Sequence, residues 1–149
     1  MPNIAIISDT HNNEPNLKKA LAIIEKEKIK TIIHCGDVSS FEFLKQNFSL
    51  KTYVSLGNTD IDDFQDYKNI KIFKDYGELE NLAFCHYPEK ARILAESQKY
   101  DFVFYGHTHK PWQENIKKCI IANPGNLAGL IFRPSFAILK NNKLELKIL

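Results

Sequence analysis

Phe102-Val103-Phe104-Tyr105-Gly106-His107-Thr108-His109 is the stretch from which the rest of the chain can be read. Its first four residues are bulky and apolar, which predicts a buried strand covered on both faces. Two histidines follow Gly106, two positions apart. On extended backbone, residues two apart point to the same side, so His107 and His109 are expected to project together from the strand's end. Two imidazoles held that way can bind one metal ion, or one each of two neighbouring ions. Alone, the pair reads equally well as an exposed loop with incidental histidines, because short motifs also match by chance. The ends of the other strands decide between these readings.

The same punctuation recurs upstream. Asn3 to Ser8 contains Ile4-Ala5-Ile6-Ile7, apolar on both faces, and runs into Asp9-Thr10-His11. Thr31-Ile32-Ile33-His34-Cys35 closes with Gly36-Asp37, and Thr52-Tyr53-Val54-Ser55-Leu56 with Gly57-Asn58-Thr59-Asp60. Leu82-Ala83-Phe84-Cys85 closes with His86. Between the first two strands, Asn12 or Asn13 offers an N-cap and Pro15 suits a first helical turn. Leu17, Ala20, Leu21 and Ile24 then form one apolar stripe through about Lys28, which packs against a sheet. Phe41 to Phe48 reads as a short helix, and Pro88 to Gln98 as another through Ala91, Leu94 and Ala95. Ile61 to Asn69 reads as a loop or single turn, Ile70 to Phe73 as an edge strand, and Tyr76-Gly77-Glu78 as a turn. The last third is strand-rich: Gln113–Ile116, Cys119–Ala122, Phe136–Leu139 and Leu144–Leu149, with turns at Asn123-Pro124-Gly125 and Asn141-Asn142. This order predicts an α/β fold of two mixed β-sheets with helices outside, and one domain over residues 1–149.

Composition narrows the function classes. Apolar residues make up 44% and charged residues 26% of the 149, as in soluble globular proteins. A net charge of +2, carried mostly by scattered lysines, argues against a nucleic-acid-reading surface. The N-terminus lacks the regions of a signal peptide, and no apolar run approaches a bilayer span. Cys35, Cys85 and Cys119 form an odd set without CxxC spacing, which argues against a disulfide framework and fits a reducing cytoplasm.

Five apolar strands thus end in candidate ligands: Asp9 and His11, Asp37, Asn58, His86, then His107 and His109. In layered α/β proteins, loops at the carboxyl ends of strands converge on one site. Carboxylate, amide and imidazole ligands together suit Mn²⁺, Fe²⁺ or Zn²⁺ better than an all-oxygen cage for Mg²⁺ or Ca²⁺. Seven ligands exceed what one ion with an open position needs. They suit two ions about 3.5–4 Å apart, bridged by a carboxylate, with a water acidified to a pKa of roughly 7 as nucleophile.

Taken in order, Asp9-Thr10-His11, Gly36-Asp37, Gly57-Asn58-Thr59-Asp60, His86 and Gly106-His107-Thr108-His109 resemble the five blocks of the calcineurin-like metallophosphoesterases. The compact length resembles that family's small bacterial and archaeal phosphodiesterases, whose relatives include a retromer subunit of the same fold. The resemblance implies a four-layer αββα sandwich. It implies Asp9, His11, Asp37 and His109 around one divalent ion and Asn58, His86 and His107 around a second, with Asp37 bridging. The ions implied are Mn²⁺ first, with Fe²⁺, Zn²⁺, Ni²⁺ or Mg²⁺ as alternatives. Asp60 would orient a ligand from behind, or simply cap a turn, and Asn123-Pro124-Gly125 resembles a further block that supports the site. Three positions depart from the pattern. Thr59 replaces a frequent His that assists the leaving group, Tyr87 replaces Gly after His86, and Asn126 stands where Ser is commoner.

The chain is accordingly expected to be a cytoplasmic, dinuclear metal-dependent phosphodiesterase acting on small phosphate esters through a bridging hydroxide. Asp37, Asn58 and His86 would act in catalysis through the metals. The alternative is a weakly active or inactive metal-binding scaffold of the same fold. Long nucleic acid and membrane are not expected partners, and self-association remains open. His34 reads as a core residue or a support behind the ligands and not as a ligand; Trp112 and Phe41 read as packing residues, with stacking on a substrate ring as the alternative.

Overall fold

The computed structural model describes residues 3–149. Eleven strands and three helices follow one another along them: β1 (Ile4–Ile7), α1 (Glu14–Lys26), β2 (Thr31–His34), α2 (Phe41–Asn47), β3 (Lys51–Ser55), β4 (Ile70–Phe73), β5 (Tyr76–Leu79), β6 (Leu82–Cys85), α3 (Pro88–Glu96), β7 (Phe102–Phe104), β8 (Trp112–Ile116), β9 (Cys119–Asn123), β10 (Ser135–Lys140) and β11 (Lys143–Ile148). They form a six-stranded sheet ordered β11-β10-β1-β2-β3-β4 and a five-stranded sheet ordered β5-β6-β7-β9-β8. Both are mixed. β1, β2, β3 and β4 run parallel, as do β6, β7 and β9, while β10 and β11 join the first sheet antiparallel.

Three apolar clusters define four layers. Leu17, Ala20 and Ile24 of α1, with Phe43 and Leu44 of α2, cover Ala5, Ile7, Ile32 and Val54 on the outer face of the first sheet. Ile4, Ile6 and Ile33 on its inner face meet Phe84, Phe102 and Phe104 of the second sheet. Ala91, Leu94 and Ala95 of α3 cover Ala83, Val103 and Ile121 on the far side. Strands buried on both faces need apolar residues at every position, which explains the unbroken runs in β1, β6 and β7.

Local chemistry sets the element ends. Asn13 accepts the Asn16 N–H (3.0 Å) as the cap of α1, with Pro15 in its first turn. Ser40 caps α2 by accepting the Phe43 N–H (3.1 Å). Ile70–Phe73 is an edge strand, as expected. Tyr76-Gly77-Glu78 is not the expected turn but lies within β5, paired antiparallel with β6. The glycine reads as a turn signal, yet its role is steric: a Cβ on Gly77 would run into the Phe84 ring opposite it. The reversal falls later, at Glu80-Asn81, where Glu80 takes a positive φ of 53°.

The parallel strands of both sheets deliver their carboxyl ends to one edge of the sandwich. β1, β2 and β3 bring the loops after Ile7, His34 and Ser55; β6 and β7 bring those after Cys85 and Phe104.

Candidate metal centre

Asp9, His11, Asp37 and His109 converge from three of these loops. One donor atom from each lies within 4.8 Å of every other. Asp9 is fully buried and Asp37 nearly so, whereas the two imidazoles face partly outward. Asp9 Oδ1 lies 3.2 Å from His109 Nε2 and 3.7 Å from His11 Nε2, and Asp37 Oδ2 lies 3.6 Å from His11 Nε2.

A second group adjoins the first through Asp37. His86 Nε2 lies 3.4 Å from Asp37 Oδ2 and 3.0 Å from Asn58 Oδ1. His107 Nδ1 lies 3.2 Å from Asn58 Oδ1 and 3.3 Å from His86 Nε2. His86 is buried at the floor, while Asn58 and His107 are exposed at the mouth. All seven side chains singled out in the sequence therefore meet at one edge of the sandwich.

The backbone that achieves this is not extended. Asp9, His11, Asp37, His107 and His109 have φ of 52°, 43°, 58°, 71° and 64°, in the left-handed region that non-glycine residues seldom adopt. β7 ends at Phe104, so the strand alternation expected for His107 and His109 does not apply. Their rings diverge, His107 toward Asn58 and His86, His109 toward Asp9 and His11. Strain of this kind persists only where surrounding contacts over-determine it. Asn123 Nδ2 donates to the Gly106 carbonyl (3.1 Å) and to Thr108 Oγ1 (2.9 Å), while Asn126 Nδ2 donates to the His109 carbonyl (3.3 Å). Asn123 thus holds the histidine loop as well as its own turn, accepting the Gly125 N–H (2.9 Å). The amide of Asn126, standing where Ser is commoner, thus supplies its own contact to that loop.

Two glycines make room for the convergence. A Cβ on Gly57 would overlap the Asp37 carboxylate and the His86 ring, and one on Gly106 would overlap Ser8 Oγ and Asp9 Oδ2.

Asp60 contacts no histidine. Its carboxylate accepts the N–H groups of Asp37 (2.8 Å), Ser39 (2.8 Å) and Gly57 (2.8 Å), tying the loops after β2 and β3 together. That is the turn-capping role, here shared between two loops. Burial pushes its carboxyl above the usual range despite those three donors. His34 proves to be another support, as one of its two readings allowed. Its Nδ1 accepts the Gly36 N–H (3.0 Å), so its Nε2 carries the proton donated to Thr10 Oγ1 (3.1 Å). Full burial lowers its pKa to about 3, keeping the ring neutral. The buried polar end of an otherwise apolar strand was its one sequence signal.

Electrostatics at the floor follow from the same geometry. Burial opposes the Asp37 charge, but the His86 ring, the Thr59 N–H (3.0 Å to Oδ1) and His11 outweigh it and hold the carboxyl below the usual range. The Asp9 carboxylate raises His11 against its partial burial. Desolvation works against a proton on His86, and the Asp37 carboxylate overcomes it, leaving the pKa raised.

These groups fit a cation. Asp9 Oδ1, His11 Nε2 and His109 Nδ1 are buried without a hydrogen-bond partner, which is costly unless something positive meets them. His86 Nδ1 donates to the Cys35 carbonyl (2.7 Å), so its Nε2 faces Asn58 Oδ1 and Asp37 Oδ2. In the metal-free chain a proton on Nε2 relieves this meeting of acceptors; a divalent ion would take that proton's place.

Tyr87 packs against both His86 (ring centroids 4.9 Å apart) and His107 (5.1 Å) and remains exposed, so it lines the mouth. Thr59 places its hydroxyl 3.4 Å from Ser39 Oγ. Phe41 packs on Phe64 and Tyr67, Arg92 pairs with Glu114, and Arg133 donates to the Leu149 carbonyl. None of these three reaches the cluster.

Comparison with known proteins agrees with this arrangement. Residues 3–143 match the model of the calcineurin-like phosphoesterase superfamily domain. A phosphodiesterase of Methanocaldococcus jannaschii is 32% identical over 157 aligned positions, spanning 95% of each chain. Among solved structures, an archaeal phosphodiesterase superposes with a TM-score of 0.83 at 27% identity, covering 99% of both chains. Vacuolar protein sorting 29 of Cryptosporidium parvum shares the fold, with a TM-score of 0.71 at 18% identity over 99% of this chain and 96% of that one.

Proposed function

This chain belongs to the calcineurin-like phosphoesterase superfamily, and from that premise we propose that it is a metal-dependent phosphodiesterase of small phosphate esters, with residues 1–149 as one catalytic domain. The observation that carries the reading is the set of buried, unpartnered donor atoms on Asp9, His11 and His109 beside an Asp37 shared with His86.

Asp9, His11, Asp37 and His109 would hold one divalent ion, and Asn58, His86 and His107 a second, with Asp37 common to both. Such ions, when bound, supply Lewis acidity toward phosphoryl oxygens and lower the pKa of a coordinated water to roughly 7. The mixed donor set suits Mn²⁺, Fe²⁺ or Zn²⁺ better than Mg²⁺, and the family resemblance puts Mn²⁺ first with Ni²⁺ among the alternatives. The protein's own residues supply position and charge. Asp37 stays ionised at neutral pH, and the Thr59 N–H fixes one of its oxygens while the other faces both groups. The Cys35 carbonyl orients His86, and Asp60 sets the distance between the loops bearing Asp37 and Asn58.

Thr59 and Ser39 offer hydroxyls at the mouth, and neither is acidic enough to protonate a departing alkoxide. That supports a preference for leaving groups that depart as stable anions, such as aryl phosphodiesters. The engagement of Arg92 and Arg133 elsewhere supports small substrates over long nucleic acid. Among the described residues no helix is long and apolar enough to cross a membrane.

The test is turnover by Mn²⁺-loaded protein of phosphomonoesters, cyclic nucleotides and a leaving-group series of diesters, with Asp37→Ala as control. Rates should rise steeply as the leaving-group pKa falls. Stoichiometric metal uptake without turnover would instead favour a scaffold.

A further inference from the structure

The six-stranded sheet treats its two edges differently. At β4 the chain covers its own outward donors: the Ile72 N–H donates to Asp66 Oδ1 (2.8 Å) and the Ile70 N–H to the Tyr67 carbonyl (2.8 Å). At β11 no loop or side chain among the described residues does this. Asn141 and Asn142, with φ of 52° and 61°, form the two-residue turn that fixes the β10–β11 register. The Leu149 N–H bonds the Pro134 carbonyl (2.9 Å) across that ladder. Counting back by twos, Lys147, Glu145 and Lys143 direct their backbone groups at β10, and Ile148, Leu146 and Leu144 direct theirs outward. A bare edge of this length is a template for another strand.

The side chains say which strand. Lys143, Glu145 and Lys147 lie on the helix-covered face, opposite Lys140, Ile138 and Phe136. Leu144, Leu146 and Ile148 lie on the face toward the second sheet, and Leu146 and Ile148 are 43% and 54% exposed. Beside them a cavity of about 220 Å³, bordered by Trp112, Leu144 and Leu146, opens between β8 and β11.

We propose that β11 pairs antiparallel with β11 of a second copy about a twofold axis at Leu146, joining the two sheets into one continuous sheet. The register follows from the backbone and the charges. An axis between residues would set outward amides against inward ones. An axis at Glu145 opposes Lys143 with Lys147 and Glu145 with itself, and an axis at Lys147 opposes that lysine with itself. An axis at Leu144 brings in Asn142, whose positive φ is not that of a strand. The axis at Leu146 sets Glu145 opposite Lys147 twice, in the non-hydrogen-bonded pairs where side chains approach most closely. It also sets Leu144 opposite Ile148 twice and Leu146 opposite itself, extending the apolar border of the cavity. Within one chain Lys147 already reaches Glu145 at 2.9 Å, so pairing exchanges one partner for another. The charges thereby reject the axes at Glu145 and Lys147, while backbone direction and the φ of Asn142 reject the others. This association is independent of any chemistry at the metal centre.

Sedimentation equilibrium and amide hydrogen exchange on the full chain test it. The wild-type chain should dimerise. Glu145→Lys and Lys147→Glu should each raise the dimer Kd roughly tenfold or more, since each sets like charges opposite one another twice. The double variant restores opposite charges and should return Kd to within about threefold of wild type. The Glu145 side chain is 66% exposed, so its replacement leaves the fold in place. The amides of Leu144, Leu146 and Ile148 should exchange more slowly as protein concentration rises. A monomer at millimolar concentration, a double variant as weak as the singles, or unchanged exchange at those three amides would each overturn the proposal.

Discussion

The two halves of the candidate centre share residue types but not their state of satisfaction. Around Asp9, buried donor atoms on His11 and His109 and a carboxylate oxygen have no partner. Around Asn58, the amide oxygen and two imidazole nitrogens lie within 3.0–3.3 Å of one another and satisfy each other. The first half brings a carboxylate of its own besides the shared Asp37; the second brings only a neutral amide. Desolvated negative charge with unpartnered donors draws a cation more strongly than side chains already hydrogen-bonded to one another do. The halves are therefore unequal, and the Asp9 half should fill first and hold its ion longer.

The largest effect should come from the group they share. Asp37→Ala removes charge from both halves and should lower kcat/KM by roughly a thousandfold or more, with both ions lost on dialysis. Near-normal turnover would break the idea of a shared carboxylate. Next come the diverging histidines. In Mn²⁺ titrations followed by calorimetry, His109→Ala should weaken the tighter of two binding events and His107→Ala the looser, each by roughly a hundredfold. If both variants lost the same event, the two halves would not be separate.

A smaller effect sharpens the contrast. Asn126→Ala frees the His109 carbonyl but leaves Asn58 and His86 untouched, so it should weaken the tight event by about tenfold and spare the loose one. Equal losses at both would mean that the loop moves as one piece.

The smallest concerns the floor beneath both halves. His34 has a pKa of about 3 when folded against an ordinary value near 6.5. Between those values the unfolded chain binds the extra proton, so stability rises with pH across the window and is fully present above about 6.5. In the metal-free protein one such group contributes a slope of up to about 1.4 kcal/mol per pH unit. His34→Gln should flatten thermal stability against pH by that amount between about pH 4 and 6. His11 and His86, whose pKa values are raised, act in the opposite sense above about 6.5. An unchanged slope in the variant would mean that His34 is not the neutral support its contacts describe.

Much of this molecule is legible before folding because burial on two faces leaves a plain mark. The apolar runs at β1, β2, β3, β6 and β7, each closed by a polar ligand type, announce both the layered α/β fold and where its loops converge. Helix α1 is equally plain, since Asn13, Pro15 and the Leu17–Ala20–Ile24 stripe agree. Gly77 misleads because glycine serves turns and close packing alike, and only the position of Phe84 tells which. Asp60 and His34 are obscure for a related reason: a support residue is defined by what it touches.

The sequence by itself thus determined which side chains could form the centre, since strand ends and ligand types are both local properties. Only the tertiary structure decided how they divide. His107 and His109 stand two residues apart on what reads as one strand, yet left-handed backbone turns one ring to Asn58 and the other to Asp9. That backbone is unfavourable in isolation and is held by Asn123 and Asn126 from a distant turn. Contacts between residues far apart in the chain select it, and no local pattern can record them.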